Sequence, residues 1–282
     1  MPKTHSIDVV TGAVTHSVLL PGVSKEDYEE VSAMLFQGMA SGGKVRDAIA
    51  NAFELGIDLC PDANHSDIWC HIIYRQFLTK AAPQSWVRTS GEGFEVFLCR
   101  YYTALLATRG IHLFGLFDKT LRSKVLGEIG LPSSMGSAKL DIVVFGTKEG
   151  QRKVIGGIHA KGSLAERITD DAPMSKAMLA KEFWSPLCTL DVKTYPPRDL
   201  TNRGELGTPD KPSDKRGYIE NDVVFSACYS YNQRTVPSDN ETPSGKKIYR
   251  LTFKREWDQL CADAVSEMEK RFRFSTAVQG PH

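Results

Sequence analysis

Two neighbouring segments of the chain carry the residue types that phosphodiester hydrolysis requires. Asp141 directly precedes the apolar run 142–145, and Lys161 ends the run 154–161, in which His159 lies two residues earlier. Side chains two positions apart on a strand point to one face, so His159 and Lys161 would share a face. A carboxylate binds Mg²⁺, and a lysine stabilises the charge that develops during hydrolysis. Asp141 and Lys161 therefore indicate a metal-dependent phosphodiesterase site, although a turn aspartate and a solvated lysine explain the same spacing.

A second pair matches the literal (D/E)xK pattern, in which an acidic residue precedes a lysine by two positions. Asp191 and Lys193 lie in a predicted strand at 187–195 and would share one face of it. The other interpretation of this pair is a structural contact on that strand. The spacing alone does not choose between Lys161 and Lys193 as the catalytic lysine.

The pattern of apolar residues predicts the strands that would position these side chains. Runs of strand-type composition cover 140–145 and 154–161, and the polar residues 148–153 between them predict a hairpin. Residues 198–217 are rich in proline, glycine and charged residues, which predicts a long exposed loop. Further strands are predicted at 187–195, 225–231 and 247–253.

Helical periodicity predominates in the first third of the chain. Ser24 and Asp27 form a capping-box pattern at the start of the first predicted helix. The pattern of apolar stripes and caps predicts helices at about 24–39, 44–55, 68–80, 91–108 and 256–272, with a further helix beginning at 163–169. A sheet with flanking helices gives an α/β or α+β class.

The composition is that of an ordinary folded protein. The 282 residues carry a formal net charge of +1, so no overall basic field indicates a non-specific nucleic-acid coat. A site-specific enzyme with a local basic cleft remains compatible with this charge. The N-terminus contains no apolar signal-peptide core, and no apolar run approaches the roughly 20 residues that cross a bilayer. The six cysteines include no CxxC pair, which indicates reduced thiols in a cytoplasm.

Four potential zinc ligands lie close together in the sequence without forming a zinc pattern. Cys60, His65, Cys70 and His71 fall within twelve residues, but their spacing matches no compact zinc knuckle. Cys70 and His71 are adjacent on a predicted helix, so their side chains project about 100° apart. We therefore expect no zinc in this protein.

A resemblance to a known family centres on the segment that contains Lys161. The type II restriction endonucleases that recognise CCGG-containing palindromes, members of the PD-(D/E)xK nucleases, are similar to this chain over His159-Ala-Lys-Gly-Ser-Leu-Ala-Glu-Arg-Ile-Thr-Asp-Asp-Ala-Pro173. Strings of this length are far more specific than a DxK match, so the resemblance favours Lys161 over Lys193. The similarity extends along most of the chain and includes residues 60–64, 85–92, 189–193, 202–210, 212–216 and 225–232.

The resemblance implies which residues form the metal and catalytic site. Asp141 matches the first metal-binding carboxylate of the family, on a hairpin strand, and Lys161 matches its catalytic lysine. The second carboxylate is displaced from the strand onto the following helix, which would explain why His159 stands where the acidic residue usually lies. Asp171 is the predicted displaced carboxylate, with Asp170 as the alternative.

The resemblance also implies a restriction-endonuclease-like fold, with a central mixed sheet flanked by helices. We predict a helical N-terminal region at 1–85 and a catalytic and DNA-recognition domain at 86–282. An acidic residue on the helix before the hairpin often supports the site in this fold, and Glu95 matches it. Without the resemblance, Glu95 would be taken for an exposed helix residue.

Sequence recognition in this family uses an R-(D/E)R element just after the catalytic lysine, and Glu166-Arg167 matches its second half. Arginine can bind guanine O6 and N7 together, and a carboxylate can accept from cytosine N4, so the pair can read neighbouring G and C. The other interpretation is a surface salt bridge, which is worth little. Ser163 or Leu164 occupies the place of the missing first arginine, and Arg88 is predicted to supply its contact. Further contacts to phosphate or base edges are predicted from Arg203, Lys211, Lys215, Arg216 and Arg234.

These features predict a restriction endonuclease that hydrolyses double-stranded DNA within a CCGG-centred palindrome, such as ACCGGT, and depends on Mg²⁺. A palindromic site implies a two-fold homodimer, at least on DNA. The expected location is the prokaryotic cytoplasm. Two other functions fit the same residues: a repair or nicking nuclease of this fold, and a sequence-specific DNA-binding protein without catalytic activity.

Overall fold

The computed structural model describes residues 3–11, 14–132, 135, 140–164, 167–193 and 203–276. The strands in this part of the chain are β1 (Thr4–Thr11), β2 (Val14–Pro21), β3 (Ile111–Gly115), β4 (Ile142–Lys148), β5 (Gln151–Lys161), β6 (Leu187–Thr189), β7 (Cys228–Ser230) and β8 (Ile248–Arg250). The first two form a separate hairpin, and the other six form a central sheet in the order β3-β4-β5-β6-β7-β8. The predicted fold class, a mixed central sheet with flanking helices, is confirmed.

The central sheet changes direction at β5. The pairs β3/β4 and β4/β5 are antiparallel, whereas β5 through β8 run parallel to one another. The predicted hairpin is confirmed: Glu149 and Gly150 turn the chain with positive φ angles of 51° and 76°, as tight hairpins with right-handed strand twist require. At Gly156 a side chain would collide with the carbonyl of Trp184, so the glycine lets that segment approach the strand.

The helices of the described chain are α1 (Lys25–Ala40), α2 (Val45–Leu59), α3 (His65–Asp67), α4 (Tyr74–Leu78), α5 (Pro83–Leu106), α6 (Lys119–Glu128), α7 (Arg167–Leu179), α8 (Asp214–Glu220) and α9 (Gln259–Thr276). Ser24 and Asp27 form the predicted capping box at α1. A π-helical segment, Ile68–Ile73, joins α3 to α4. Within the described residues, no helix is long and apolar enough to span a membrane.

The N-terminal part departs from the prediction that residues 1–85 are largely helical. Strands β1 and β2 occupy most of the first 21 residues, because alternate side chains such as Ile7 and Val9 are buried while their neighbours are exposed. Helix α5 begins at Pro83 instead of 91, since proline at the first helical position has the φ angle that a helix needs. The helix therefore crosses the predicted boundary at residue 85, and the two-part division of the chain stays a prediction.

Helix α7 is longer than its sequence suggests. Pro173 removes one backbone hydrogen-bond donor from this helix, yet the helix continues to Leu179. Met174 and Met178 lie four residues apart and are fully buried in one apolar cluster with Val143 and Phe183. The burial of this face compensates for the hydrogen bond that proline removes, so α7 packs firmly beside the sheet.

The main hydrophobic core joins the N-terminal helices to the central sheet. Phe97 of α5 lies 4.8 Å in ring-centroid distance from both Phe53 of α2 and Phe253, which follows β8. Tyr231 stacks on Phe253 from the end of β7. This packing holds α5 against the sheet, beside β3 and β5.

Candidate active site

Asp141 and Lys161 meet where strands β4 and β5 lie side by side. Residue Ile142 pairs with Ile158, which brings the start of β4 next to the end of β5. The Asp141 carboxylate accepts hydrogen bonds at Oδ2 from the Ala160 backbone N–H at 2.9 Å and from Lys161 Nζ at 2.7 Å. The structure therefore brings together the aspartate and the lysine that the sequence singled out.

A second carboxylate reaches Lys161 from helix α7. Asp171 is fully buried, and its Oδ2 lies 2.8 Å from Lys161 Nζ. The neighbouring residue Asp170 is exposed. Lys161, which is 5% exposed, thus bridges the two carboxylates of Asp141 and Asp171. The geometry favours Asp171 over Asp170 as the displaced carboxylate.

His159 lies beside Asp171 and is also fully buried. Its Nδ1 atom is 3.3 Å from Asp171 Oδ2, and its Nε2 atom is 3.1 Å from Ser185 Oγ. Ser185 Oγ is in turn 2.8 Å from Ser175 Oγ on α7. Sequence reasoning missed Ser185, because this residue belongs to no motif and lies 26 positions from His159.

The charges of the site act strongly on one another. Burial tends to lower the pKa of Lys161, but the carboxylates of Asp141 and Asp171 outweigh it and raise this pKa above its ordinary value. Burial tends to raise the pKa of Asp171, but the contact with His159 and the charge of Lys161 hold this pKa below its ordinary value. Lys161 therefore stays an ammonium and Asp171 a carboxylate at neutral pH.

Glu95 faces the same site from helix α5. Burial raises the pKa of its carboxyl well above the ordinary value, and the charge of Asp141 raises it further, while Lys161 acts in the opposite direction. Glu95 is half-buried, so it is not the exposed helix residue that the bare sequence suggested. It forms a third acidic group whose charge state responds to the cations around it.

The residues present fit a divalent cation. Ligand atoms of Asp141, His159 and Asp171 lie within 4.8 Å of one another. Both carboxylate oxygens of Asp171 are buried, and Oδ1 has no hydrogen-bond partner in the described part of the chain. A buried carboxylate oxygen without a donor is costly unless a cation binds it. Carboxylate oxygens are the ligands of hard cations such as Mg²⁺.

The rival pair Asp191 and Lys193 has a different environment. Strand β6 ends at Thr189, and Asp191 turns away with a φ of 47°. Its buried carboxylate accepts hydrogen bonds from the Glu205 backbone N–H at 2.6 Å and from Thr235 Oγ1 at 3.1 Å. Burial raises its pKa to about 7. Lys193 is exposed, so the two residues do not share a strand face and Asp191 holds neighbouring loops together.

The residues predicted to recognise DNA bases do not form one cluster in the described part of the chain. Glu166 lies outside the described residues, and Arg167 is the first residue of α7. Arg88 is exposed on α5, where its Nε donates to Glu92 Oε1 at 3.2 Å. Ser163 donates a hydrogen bond of 2.7 Å to Glu205 Oε1. The exposed side chain of Arg88 is accessible to a ligand from solvent.

Residues 198–202 of the predicted exposed loop at 198–217 lie outside the described residues, and the prediction is partly wrong for the rest, since Gly204, Glu205 and Leu206 are buried. Gly204, with a φ of 88°, packs on the Asp191 carboxylate, where any side chain would collide. Sequence reasoning missed Glu205, which also pairs with Lys215. Arg203 lies on the exposed side of this segment.

Arg216 does not lie where a DNA contact requires it. It is fully buried, and its guanidinium donates to the Leu206 carbonyl at 3.2 Å and to Glu220 Oε1 at 2.6 Å. This burial contradicts the predicted DNA contact, because helix α8 turns the side chain inward to satisfy carbonyls of the preceding loop. Arg234 pairs with both carboxylate oxygens of Asp67 at 2.8 and 2.7 Å.

Comparisons of the sequence and of the structure with known proteins all match type II restriction endonucleases. A family model described as BsaWI restriction endonuclease type 2 matches residues 119–257. The type II restriction enzyme AgeI of Thalassovita gelatinovora is 45% identical over 276 residues, covering 93% of this chain and 98% of the relative. A crystal structure of a specific AgeI–DNA complex superposes with a TM-score of 0.87 at 43% identity, covering 93% of this chain and 99% of the other.

Proposed function

Because the chain belongs to the type II restriction endonucleases, we propose that it cuts double-stranded DNA at a CCGG-centred palindrome with Mg²⁺ as cofactor. The chain is accordingly a site-specific deoxyribonuclease. ACCGGT is the full site to test first. The identity to AgeI over nearly the whole of both chains supports a shared mode of DNA binding.

The observation that carries the metal dependence is the buried cluster of Asp141, Lys161 and Asp171. In the proposal the two aspartates hold the cation, and Asp171 Oδ1 is an oxygen that has no hydrogen-bond partner in the part of the chain that the structure describes. When bound, Mg²⁺ neutralises phosphate oxygens and favours the ionised form of a water. Lys161 stabilises the charge that builds up on the phosphate, and its raised pKa keeps it charged for this role.

The charged groups of the cluster are arranged favourably for binding a negatively charged phosphate. Lys161 is held between two carboxylates at 2.7 and 2.8 Å, so its ammonium is in place before DNA arrives. Glu95 remains uncharged more readily than an ordinary glutamate, which limits the repulsion of a phosphate group. We propose that Glu95 supports the site through its charge state and that Asp141, Lys161 and Asp171 perform the chemistry.

We propose that base recognition starts from the same helix as the metal site. Arg167 begins α7 and Asp171 lies four residues later, so one helix would link the Glu166-Arg167 reading pair to the catalytic carboxylate. An adjacent Glu-Arg pair suits neighbouring C and G. Contacts from the remaining recognition residues are part of the proposal, namely Arg88, Ser163, Arg203 and Lys215.

The proposal includes a homodimer on DNA, in the cytoplasm of a prokaryotic cell. A palindrome presents each half-site twice, related by a two-fold axis, so two copies of the chain can read it with identical contacts. Each copy would bring one Asp141–Lys161–Asp171 cluster to one strand.

Sequencing the ends of DNA treated with the protein tests this function. Incubation of plasmid DNA with the protein and Mg²⁺ should give discrete double-strand cuts, each inside a CCGG-centred palindrome, and a chelator should abolish them. Cuts without a common sequence would contradict the proposal. Nicks confined to lesions would indicate the repair-nuclease alternative, and binding without any metal-dependent cut would indicate the non-catalytic alternative.

A further inference from the structure

His159 occupies the position two residues before the catalytic lysine, where the usual motif has an acidic residue. We propose that His159 is a positioning residue: its Nδ1–H donates a hydrogen bond to Asp171 Oδ2 and thereby leaves Asp171 Oδ1 directed to the metal. In this assignment His159 does not bind the metal itself. The inference rests on the proposed function, because it takes Asp171 as a metal ligand.

The geometry gives each nitrogen of the His159 ring one neighbour. Nδ1 lies 3.3 Å from Asp171 Oδ2, and Nε2 lies 3.1 Å from Ser185 Oγ. The ring is fully buried, and Nδ1 has no hydrogen bond to another group among the described residues. Asp171 is therefore the acceptor that a proton on Nδ1 would meet, with only a small adjustment of a contact that is slightly long.

The serines behind the ring favour a proton on Nδ1. Ser175 Oγ is 2.8 Å from Ser185 Oγ, so Ser175 can donate to Ser185 and Ser185 can donate to Nε2 of His159. A neutral imidazole that accepts at Nε2 carries its proton at Nδ1. In the opposite tautomer the lone pair of Nδ1 would face the buried Asp171 carboxylate, which is repulsive and leaves Nδ1 without a hydrogen bond. In this arrangement Ser175 donates to Ser185, Ser185 donates to Nε2 of His159, and Nδ1–H donates to Asp171. Each of the four residues then takes part in a hydrogen bond.

The two oxygens of Asp171 then have separate roles. Oδ2 receives both the His159 donor and the ammonium of Lys161, at 3.3 and 2.8 Å, whereas Oδ1 has no donor in the described residues. Mg²⁺ takes oxygen ligands, while imidazole nitrogen suits softer metals such as zinc and copper. Oδ1 is thus the better Mg²⁺ ligand, and His159 acts as the outer group that orients it.

Two substitutions separate the two nitrogens of the ring. His159→Asn places an amide nitrogen close to the position of Nδ1 and keeps a donor for Asp171. His159→Gln places its amide near the position of Nε2 and loses that donor. We expect His159→Gln to raise the Mg²⁺ concentration for half-maximal cleavage about 10- to 100-fold, as loss of an outer-shell partner does, and His159→Asn to raise it clearly less. Equal effects of the two variants would overturn the proposal.

The tautomer can be measured without any metal or cleavage. In ¹⁵N-labelled, metal-free protein, the His159 ring signals are those that His159→Asn removes. We expect the proton on Nδ1, and Ser185→Ala should reduce this preference, whereas Ser32→Ala, which removes a buried hydroxyl on α1, should leave it unchanged. A proton on Nε2 would overturn the assignment, as would a directly coordinated imidazole nitrogen in the pulsed EPR spectrum of the Mn²⁺-bound protein. Since the tautomer is independent of cleavage, this result also separates a failure of the inference from a failure of the proposed function.

Discussion

Replacement of Lys161 with alanine is expected to reduce the single-turnover rate of DNA cleavage about 10²- to 10³-fold, since the loss of one well-placed electrostatic group has a cost of this order. The variant removes the ammonium that lies 2.7 Å from Asp141 and 2.8 Å from Asp171. Specific DNA binding, measured without metal, should persist, because Lys161 is only 5% exposed and the proposed recognition contacts come from other residues. The measurement is rapid-quench cleavage of a duplex that contains the palindrome.

The matched controls for Lys161→Ala come from the rival motif. Lys193→Ala removes an exposed lysine and should change the rate by no more than about twofold, as surface substitutions usually do. Asp191→Asn keeps an acceptor for the Glu205 N–H and gives Thr235 a donor, so the loops that Asp191 joins stay connected. If either control abolished cleavage and Lys161→Ala did not, the catalytic centre would lie at Asp191 and Lys193 instead.

Replacement of Asp171 with asparagine is expected to lower the cleavage rate at fixed Mg²⁺ by about 10³-fold, because the several kcal/mol that a bound cation contributes correspond to that factor at about 1.4 kcal/mol per tenfold change. The substitution preserves the shape of the side chain and removes its charge. The carboxylate lost is the one whose Oδ1 has no other partner among the described residues. DNA binding without metal should be retained or strengthened, since one negative charge near the phosphate is removed.

Asp170→Asn is the control for this prediction, with the same chemical change one residue earlier. Asp170 is exposed, whereas Asp171 is buried against Lys161. Its replacement should leave both the rate and the Mg²⁺ requirement close to those of the unaltered protein. A loss of cleavage in Asp170→Asn with little change in Asp171→Asn would reverse the assignment of the displaced carboxylate.

The hairpin part of the site could be predicted from the sequence, because strand geometry has a fixed period. A period of two places His159 and Lys161 on one face, and the polar turn at Glu149-Gly150 sets β4 against β5. Once the turn is known, the aspartate that precedes β4 must lie opposite the end of β5. Asp141 and Lys161 therefore follow from local rules together with the family resemblance.

The helical part of the site could not be chosen from the sequence alone. Asp170 and Asp171 are about 100° apart around the helix axis, and the sequence does not say which of them faces the sheet. The structure decides through packing: the burial of Met174 and Met178 turns α7 so that Asp171 points inward. Which face of a short helix is turned towards the sheet depends on such contacts with other parts of the chain, so the sequence of the helix does not determine it.

The misassigned residues share a dependence on long-range contacts. Arg216 looked like a DNA contact because it lies in a polar loop, but its guanidinium binds the carbonyl of Leu206, ten residues earlier. Asp191 looked like a strand residue, but a positive φ and the close approach of Gly204 make it part of a loop junction. The hairpin β1–β2 was missed because its alternation is short and interrupted by polar residues.

The most direct test of the central claim is the position of a bound cation. Crystals of the protein soaked with Mn²⁺, studied by anomalous scattering, should show a peak within about 2.5 Å of carboxylate oxygens from both Asp141 and Asp171. Asp171→Asn crystals should lose this peak, and Asp170→Asn crystals should keep it. A peak at Asp191, or one that reaches neither Asp141 nor Asp171, would contradict the account.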